Sequence, residues 1–333
     1  CGVYMLLNFK YDIQMLQQNS YRPERFLRWM RGNTASGWRL TDVACIFLLF
    51  ATLLDIRMAV LVVTLVCLTK IFLIFRKKYK KPLVFTKRVW RIYSLTGGLA
   101  TGAYLAVIFL CGSNDMVWGW YPALAVALGS LFVITALSWV VVLVAVWLLT
   151  PVEKAINARF RNEAVAILRS MPDLTVVGIT GSYGKTSTKH YLNRILSEKY
   201  SVLMTPGSYN TPMGVIRTVR ELMKPYNEVF ICEMGAKQRG DVKEICDIVN
   251  PRIGVLTAVG PMHLETFKTI ENVRDTKFEL IDALPADGLA VVNDDFEQIA
   301  GRKVSNVECL RYSVAGTPGA AYKATDVRYS SQG

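Results

Sequence analysis

The residues best suited to chemistry lie in one short stretch, VVGITGSYGKTSTK, at positions 176–189. An apolar run of β-forming residues ends in a glycine-rich turn, and Gly184, Lys185 and Thr186 open a polar segment compatible with a helix. Glycines let successive backbone N–H groups turn towards an anion, the lysine reaches terminal phosphates, and the hydroxyl helps to hold Mg²⁺. The stretch therefore predicts a strand, a phosphate-binding loop and a helix that together bind a nucleoside triphosphate.

The loop follows the pattern GxTGSxGKT rather than the strict GxxxxGK[ST], because Ile179 stands five residues before Gly184. A chance glycine-rich turn is a poor explanation, since strand, loop and helix occur in the order that phosphate binding needs. The candidate nucleotide-binding residues of the loop are Gly181, Ser182, Tyr183, Gly184, Lys185, Thr186 and Ser187.

Three further residues follow apolar runs downstream of the loop. Glu233 ends the run EVFICE, and an acid at the carboxyl end of a parallel strand is placed to hold Mg²⁺ beside a phosphate loop. His263 follows the apolar run at 253–259 and is a candidate ligand or phosphate contact. Lys277 lies on the next predicted helix, where a solvated surface lysine is the default interpretation.

Strands that alternate with helices through residues 288–293 predict a parallel, doubly wound α/β sheet, with the ligand at the carboxyl ends of the strands. We assign this ATPase domain to 172–333, after a helical connector at 151–171. We expect Pro151 to end the preceding apolar span. Residues 301–333 look rich in β-structure and are expected to stop in the middle of the domain.

The first half of the chain has a different composition. Hydrophobic residues make up 52% of the sequence, and the excess is concentrated in residues 40–150. A membrane-spanning helix needs about 20 mainly apolar residues. An N-terminal α-helical membrane bundle of about four spans is predicted, near 40–54, 58–75, 92–111 and 121–150. We expect 121–150 to be one long tilted helix rather than two spans.

The net charge of +13 comes largely from basic residues that flank the apolar segments, within 22–39 and 76–91. Such placement is typical of membrane topology signals and makes nucleic-acid binding a poor interpretation. It predicts a multi-pass membrane protein, with the N-terminus, the 76–91 loop and the domain after 151 in the cytoplasm. Residues 1–39 would be a basic cytoplasmic segment, either an amphipathic helix on anionic headgroups or a solvated basic face.

Six segments in the second half resemble the central ATPase domain of the Mur ligase family, over about 172–333. They are GITGSYGKTSTK (178–189), TPGSYNTPMGV (205–215), EMGAKQRGD (233–241), NPRIGVLTAVGPMHLETF (250–267), ENVRDTKFEL (271–280) and LPADGLAVVNDD (284–295). Several motifs in the correct order make this resemblance far more specific than the glycine loop alone.

The resemblance implies catalytic roles for Lys185, Glu233, His263 and Lys277. Lys185 and the loop backbone would hold the phosphates of ATP, and Asn293 would contact adenine. Thr186 and Glu233 would bind a first Mg²⁺. His263 and Lys277 would serve a second metal, because in many family members this lysine is carbamylated and so becomes a carboxylate ligand. This role contradicts the default interpretation of Lys277 as a surface residue.

The reaction that the resemblance implies is amide ligation in peptidoglycan precursor synthesis. A substrate carboxylate attacks the γ-phosphate of ATP to give an acyl phosphate, and an amine then displaces phosphate. The expected partners are a UDP-linked or lipid-linked cell-wall precursor, an amino acid or dipeptide, and the lipid bilayer, with no nucleic acid. We expect the membrane region to replace the family's UDP-sugar domain, and the C-terminal ligase domain to be absent. Asn210-Thr211 stands where the family often has paired asparagines.

Other functions are compatible with the sequence. Another Mur-like ligase, which amidates lipid-linked precursors or makes poly-γ-glutamate, would differ in its acceptor-binding sequence. A membrane transport or signalling ATPase would need polar residues inside the spans, and only Asp42 and Lys70 qualify, both near span ends. A purely structural anchor is the third alternative.

Overall fold

The computed structural model describes residues 2–33, 56–76, 79, 81–112, 120–262 and 264–326. The chain divides into two compact units, Cys1–Lys154 and Ala155–Gly333. The helices that begin in the first unit are α1 (Gly2–Gln18), α2 (Pro23–Asn33), α3 (Ile56–Arg76), α4 (Lys87–Gly112), α5 (Trp120–Ala136) and α6 (Ser138–Arg169), of which α6 continues into the second unit.

The N-terminal segment is more than the basic extension that we predicted. In α1, Phe9, Ile13 and Leu16 recur at helical spacing and are fully buried in one apolar cluster with residues of α4 and α6. Phe26 of α2 is buried in the same cluster. The apolar face of α2 therefore packs against protein, which contradicts a helix that inserts this face among headgroups.

Two helix boundaries also differ from the prediction. Residues 121–150 form parts of two helices rather than one, because α5 ends at Ala136 and α6 begins at Ser138, and the N–H of Val140 bonds the carbonyl of Leu137. Pro151 lies inside α6 instead of ending it. A proline removes one N–H donor and kinks a helix, but the helix resumes where its following turns are stabilised by packing.

Two helices of the described residues are long and apolar enough to cross a membrane, Lys87–Leu110 and Ser138–Arg169, and Val126–Ala136 is a shorter apolar helix. The predicted span at 40–54 lies outside the described residues. The four-span bundle is therefore not confirmed. Lys70, which lies near the end of the predicted span at 58–75, is buried and donates a hydrogen bond to the hydroxyl of Tyr4 at 3.0 Å.

The second unit is an α/β domain built on one parallel sheet. Its strands are β1 (Thr175–Thr180), β2 (Val202–Met204), β3 (Val229–Glu233), β4 (Ile253–Leu256), β5 (Leu289–Asn293), β6 (Glu308–Ser313) and β7 (Tyr322–Lys323). Its helices after α6 are α7 (Lys185–Leu196), α8 (Pro212–Leu222), α9 (Asp241–Val249), α10 (Leu264–Phe267), α11 (Ile270–Asp282) and α12 (Glu297–Ala300).

The strand order is β2-β3-β1-β4-β5-β6-β7, and every neighbouring pair is parallel. The chain runs from β1 to one side of the sheet, returns through β3, and continues with β4 on the other side. In open sheets of this kind the ligand crevice lies where the order reverses, outside the carboxyl ends of the strands. The order therefore places the crevice at the end of β1, as the sequence predicted.

Apolar side chains cover both faces of this sheet. One cluster contains Phe230 and Cys232 of β3 with Phe278 and Leu280 of α11, and the other contains Val177 and Ile231 with residues of α7. Burial on both faces explains why the strands are continuous apolar runs rather than alternating ones. The register pairs Ile179 with Glu233, which fixes the acid beside the start of the glycine loop.

Candidate nucleotide-binding site

The glycine loop between β1 and α7 depends on backbone conformations that favour glycine. Gly181 and Gly184 have φ angles of 153° and 80°. A Cβ atom on Gly181 would lie 2.1 Å from Oγ1 of Thr257, which follows β4. The Thr257 hydroxyl donates to the carbonyl of Tyr183 at 2.6 Å. Thr257, just after β4, therefore packs against the glycine loop and leaves no room for a side chain at position 181.

The N-terminus of α7 presents unused hydrogen-bond donors. Among the described residues, no acceptor is found for the backbone N–H groups of 183–186, and the N-cap Gly184 provides no side-chain cap. Free N–H groups and the positive end of the helix dipole together favour an anion. Ser182 differs, because its N–H donates to the carbonyl of Ala258 at 2.8 Å and its hydroxyl to that of Gly260 at 3.1 Å.

Lys185 folds back over the loop that it follows. Its ammonium group donates to the carbonyl of Gly181 at 2.6 Å, and the carbonyl of Ser182 lies at 3.4 Å. Burial lowers the pKa of Lys185, and the negative charge of Glu233 partly opposes this shift. A positive charge thus lies over the loop itself, beside the free N–H groups of α7.

Glu233 is 1% exposed and accepts hydrogen bonds from three side chains. Oε2 accepts from the Thr186 hydroxyl at 3.1 Å and the Lys189 ammonium at 2.9 Å, and Oε1 accepts from the Asn210 amide at 3.0 Å. Burial acts to raise the pKa of Glu233, but the hydrogen bonds from Asn210 and Lys189 outweigh it, and the pKa is lowered. The carboxylate is therefore ionised at neutral pH.

These oxygen donors suit a hard divalent cation. A carboxylate and a hydroxyl that already share a hydrogen bond at 3.1 Å match the preference of Mg²⁺ for one or two protein oxygens plus phosphate. The ammonium group of Lys189 also contacts this carboxylate oxygen, so one positive charge already lies beside the proposed metal ligands. Among the residues that the structure describes, no cluster of three His, Cys, Asp or Glu side chains forms a metal site.

Lys277 is buried rather than solvated, so its default interpretation as a surface residue was wrong. It is 2% exposed, and burial together with the nearby charge of Lys185 lowers its pKa to about 8, against opposing effects of Asp241 and Glu279. Within the described ranges, no hydrogen bond or ion pair of its ammonium group is found. His263, the predicted partner of Lys277 at a second metal, lies outside the described residues.

Asn293 ends β5, and its side chain is engaged in the protein. Its amide donates to the carbonyl of Thr257 at 3.0 Å and accepts from the N–H of Asp295 at 3.0 Å. The residue therefore joins the end of β5 to the threonine that supports the glycine loop. A contact with adenine remains a prediction.

Lys189 and Thr257 were not predicted as site residues, and Asn210 stood out in the sequence only as a departure from the family pattern. One signal was present for Lys189, which follows Thr186 by three residues and so shares its face of α7. Asn210 lies in the loop after β2 and Thr257 follows β4, so both are distant in sequence from the glycine loop. Their roles depend on tertiary packing.

We predict that Gly181→Ala weakens nucleotide binding by about tenfold or more, because strained backbone and a steric clash cost at least about 1.4 kcal/mol. Binding of a fluorescent ATP analogue measures the effect. The matched control is Gly301→Ala, since Gly301 has a φ of −72° and the nearest atom to its Cβ position lies at 3.4 Å. Equal affinities of the two variants would contradict the proposed loop geometry.

Comparison with known proteins identifies the domain. Residues 179–333 match the Mur ligase middle domain. UDP-N-acetylmuramoyl-tripeptide--D-alanyl-D-alanine ligase of Mycobacterium bovis is 38% identical over 155 residues, which are 45% of this chain and 29% of that protein. The Bacillus subtilis ligase of the same name is 34% identical over 121 residues, which are 36% of this chain and 26% of that protein.

The solved structure of MurF ligase from Thermotoga maritima in complex with ADP has 34% sequence identity and a TM-score of 0.46, covering 48% of this chain and 37% of that one. The chain spans less than a third of the length of the Mycobacterium bovis and Bacillus subtilis ligases. The match begins within β1 and includes the glycine loop and all the predicted site residues. Residues 179–333 are therefore similar to the middle domain of the Mur ligases.

Proposed function

We propose that the protein is an ATP-dependent ligase that joins a carboxylate to an amine in peptidoglycan precursor synthesis. The main support for the proposal is the N-terminus of α7, where free backbone N–H groups lie beside the Lys185 ammonium and the hydrogen-bonded pair Thr186–Glu233. The relatives that share this domain are ligases of a UDP-linked muramoyl-tripeptide and D-alanyl-D-alanine, by their names. This chemistry needs a triphosphate site of the kind described.

In the proposed reaction a carboxylate oxygen of the substrate attacks the γ-phosphorus of ATP, and ADP leaves. The amine then attacks the acyl carbon, loses a proton, and inorganic phosphate leaves. The N–H groups of 183–186 would hold the phosphates, and the Lys185 ammonium would leave the Gly181 carbonyl to neutralise charge on them. Glu233 and Thr186 would hold Mg²⁺, which supplies further neutralisation of the developing charge.

The carboxyl substrate that we propose is a muramoyl-peptide precursor, and the amine is an amino acid or dipeptide. A lipid-linked form of this precursor is our specific proposal, because apolar helices precede the domain in the same chain. The UDP-linked form is the alternative. Both forms present the same carboxylate to the ATP site. A difference in the rates with lipid-linked and UDP-linked precursors therefore reports only on recognition of the lipid link.

We predict that Lys185→Ala lowers the rate of phosphate release with substrates by at least about 100-fold, because a charge that stabilises the transition state is lost. Lys199→Ala is the control, since Lys199 is an exposed lysine beyond the same helix. The assay uses full-length protein in detergent with UDP-linked and lipid-linked precursors in parallel. Unchanged ATP turnover by Lys185→Ala would favour a structural anchor, and use of soluble precursors alone would contradict the lipid-linked substrate.

We also propose that Lys277 is carbamylated. A pKa of about 8 leaves roughly a tenth of the amine neutral at pH 7 and more as the pH rises. The neutral nitrogen attacks the carbon of CO₂, an N–C bond forms and a proton leaves to solvent. The product is an anion, and the nearby positive charge of Lys185, which disfavours an ammonium at this position, stabilises a carbamate instead.

We predict a carbamate carbon signal in the ¹³C NMR spectrum of the protein in ¹³C-bicarbonate, growing as the pH rises through 8. Lys277→Arg should remove this signal, because a guanidinium does not form the carbamate. Lys243→Arg, a change at an exposed lysine, should preserve it. A signal that survives Lys277→Arg would assign the carbamate elsewhere and contradict the proposal.

We further propose that apolar helices anchor the protein in the bacterial inner membrane, with the ligase domain on the cytoplasmic side. Little of α4 and α6 is buried within the protein, 17% and 22% of their most apolar windows. Phe109 and Trp147 expose 75% and 73% of their surface. Exposed apolar surface on this scale marks interaction with lipid or protein.

We predict that the full-length protein stays in the membrane pellet after alkaline carbonate or 1 M salt, and that detergent releases it. Carbonate and salt remove proteins held by charge or by peripheral contacts, whereas apolar spans require detergent because their exposed side chains need an apolar solvent. Immunoblotting of the pellet and supernatant measures the partition. Release by carbonate would contradict a spanning anchor.

A further inference from the structure

Lys189, on the polar helix α7, makes a buried ion pair. Its side chain is fully buried, and its ammonium group lies 2.9 Å from Oε2 of Glu233. The same ammonium donates to the carbonyl of Gly207 at 2.6 Å. A charged side chain without solvent exposure needs partners of this kind, because an unpaired buried charge is strongly unfavourable.

The ion pair connects three segments around one carboxylate. Lys189 belongs to α7, Glu233 ends β3, and Gly207 lies in the loop after β2. The same loop contributes Asn210, whose side chain donates to Oε1 of Glu233 and whose carbonyl accepts from the N–H of Gly235 at 2.7 Å. Lys189 therefore fixes both the carboxylate and the loop that holds its other oxygen.

The position of Lys189 affects any metal that Glu233 binds. Oε2 already accepts from both Lys189 and Thr186, and Thr186 is the second proposed ligand of the metal. A divalent cation at this pair would be close to a positive ammonium group that cannot move into solvent. Like charges repel strongly where water is excluded, so the metal is disfavoured unless further negative charge arrives with it.

We propose that Lys189 is a positioning residue whose ammonium group takes the place of a cation beside Glu233 and makes metal binding depend on bound nucleotide. Without nucleotide, Lys189 neutralises the carboxylate and holds it in the orientation that the metal needs. The phosphates of the nucleotide supply the negative charge that offsets the repulsion. The proposal rests on the proposed function, since it takes Glu233 and Thr186 as metal ligands.

The test measures Mn²⁺ affinity with and without ADP, using the electron paramagnetic resonance signal of free Mn²⁺ and full-length protein in detergent. Wild-type protein should bind Mn²⁺ at least about tenfold more tightly with ADP. Lys189→Met and Lys189→Gln remove the charge, and they should raise the Mn²⁺ affinity without ADP about tenfold. Lys189→Arg keeps the charge and should keep the wild-type affinity without ADP.

Lys199→Met is the matched control and should leave the Mn²⁺ affinity without ADP unchanged. Thermal unfolding of each variant separates loss of fold from loss of charge, and Lys189→Gln retains a donor for the Gly207 carbonyl if Lys189→Met does not fold. An Mn²⁺ affinity without ADP that stays unchanged in the folded neutral variants would overturn the proposal, and so would equal affinities of wild-type protein with and without ADP. Wild-type protein that bound neither ADP nor Mn²⁺ would instead overturn the proposed function.

Discussion

The α/β domain depends on keeping one carboxylate charged where water scarcely reaches it. Removing a carboxylate from water costs several kcal/mol, and this cost is offset only if its oxygens are paired and hydrogen-bonded. Glu233 meets the condition through Thr186, Lys189 and Asn210, which come from the phosphate-loop helix and from the loop after β2. The hydrogen bonds and the ion pair to Glu233 therefore hold these segments together at the carboxyl edge of the sheet. The negative charge that they stabilise is also the charge that a metal ligand needs.

The parallel sheet supplies the positions that this carboxylate needs. Pairing of Ile179 with Glu233 sets the acid next to the loop that leaves β1, and Thr257 beyond β4 supports that loop from the other side. The positive charges of Lys185 and Lys277 lie close enough to repel each other, and this repulsion helps to lower the pKa of Lys277. Such an excess of positive charge is unfavourable in the free protein and favours a polyanion in the crevice.

The sequence predicted the elements whose signals are local. A continuous apolar run and glycines at fixed offsets indicated β1 and its loop, and an acid after another run indicated Glu233. The burial of Lys277 and Lys189 was not predictable from residue type, because both lie on polar helices whose buried faces are set by distant strands. The break at Leu137 left no signal in an almost entirely apolar segment. The helix α1 was not predicted because the polar residues Asp12 and Gln14 lie among its buried residues.

The hydrogen bonds divide the predicted site residues into two groups. Ser182 and Asn293 have polar groups engaged by the protein, so they hold the loop and strand ends in place. The N–H groups of 183–186 and the ammonium of Lys277 have no such partner among the described residues. A folded protein satisfies nearly all of its buried polar groups, and donors left free at the edge of a crevice are satisfied by what binds there. Ligand binding therefore concerns the second group directly, and the first group acts by keeping those donors aligned.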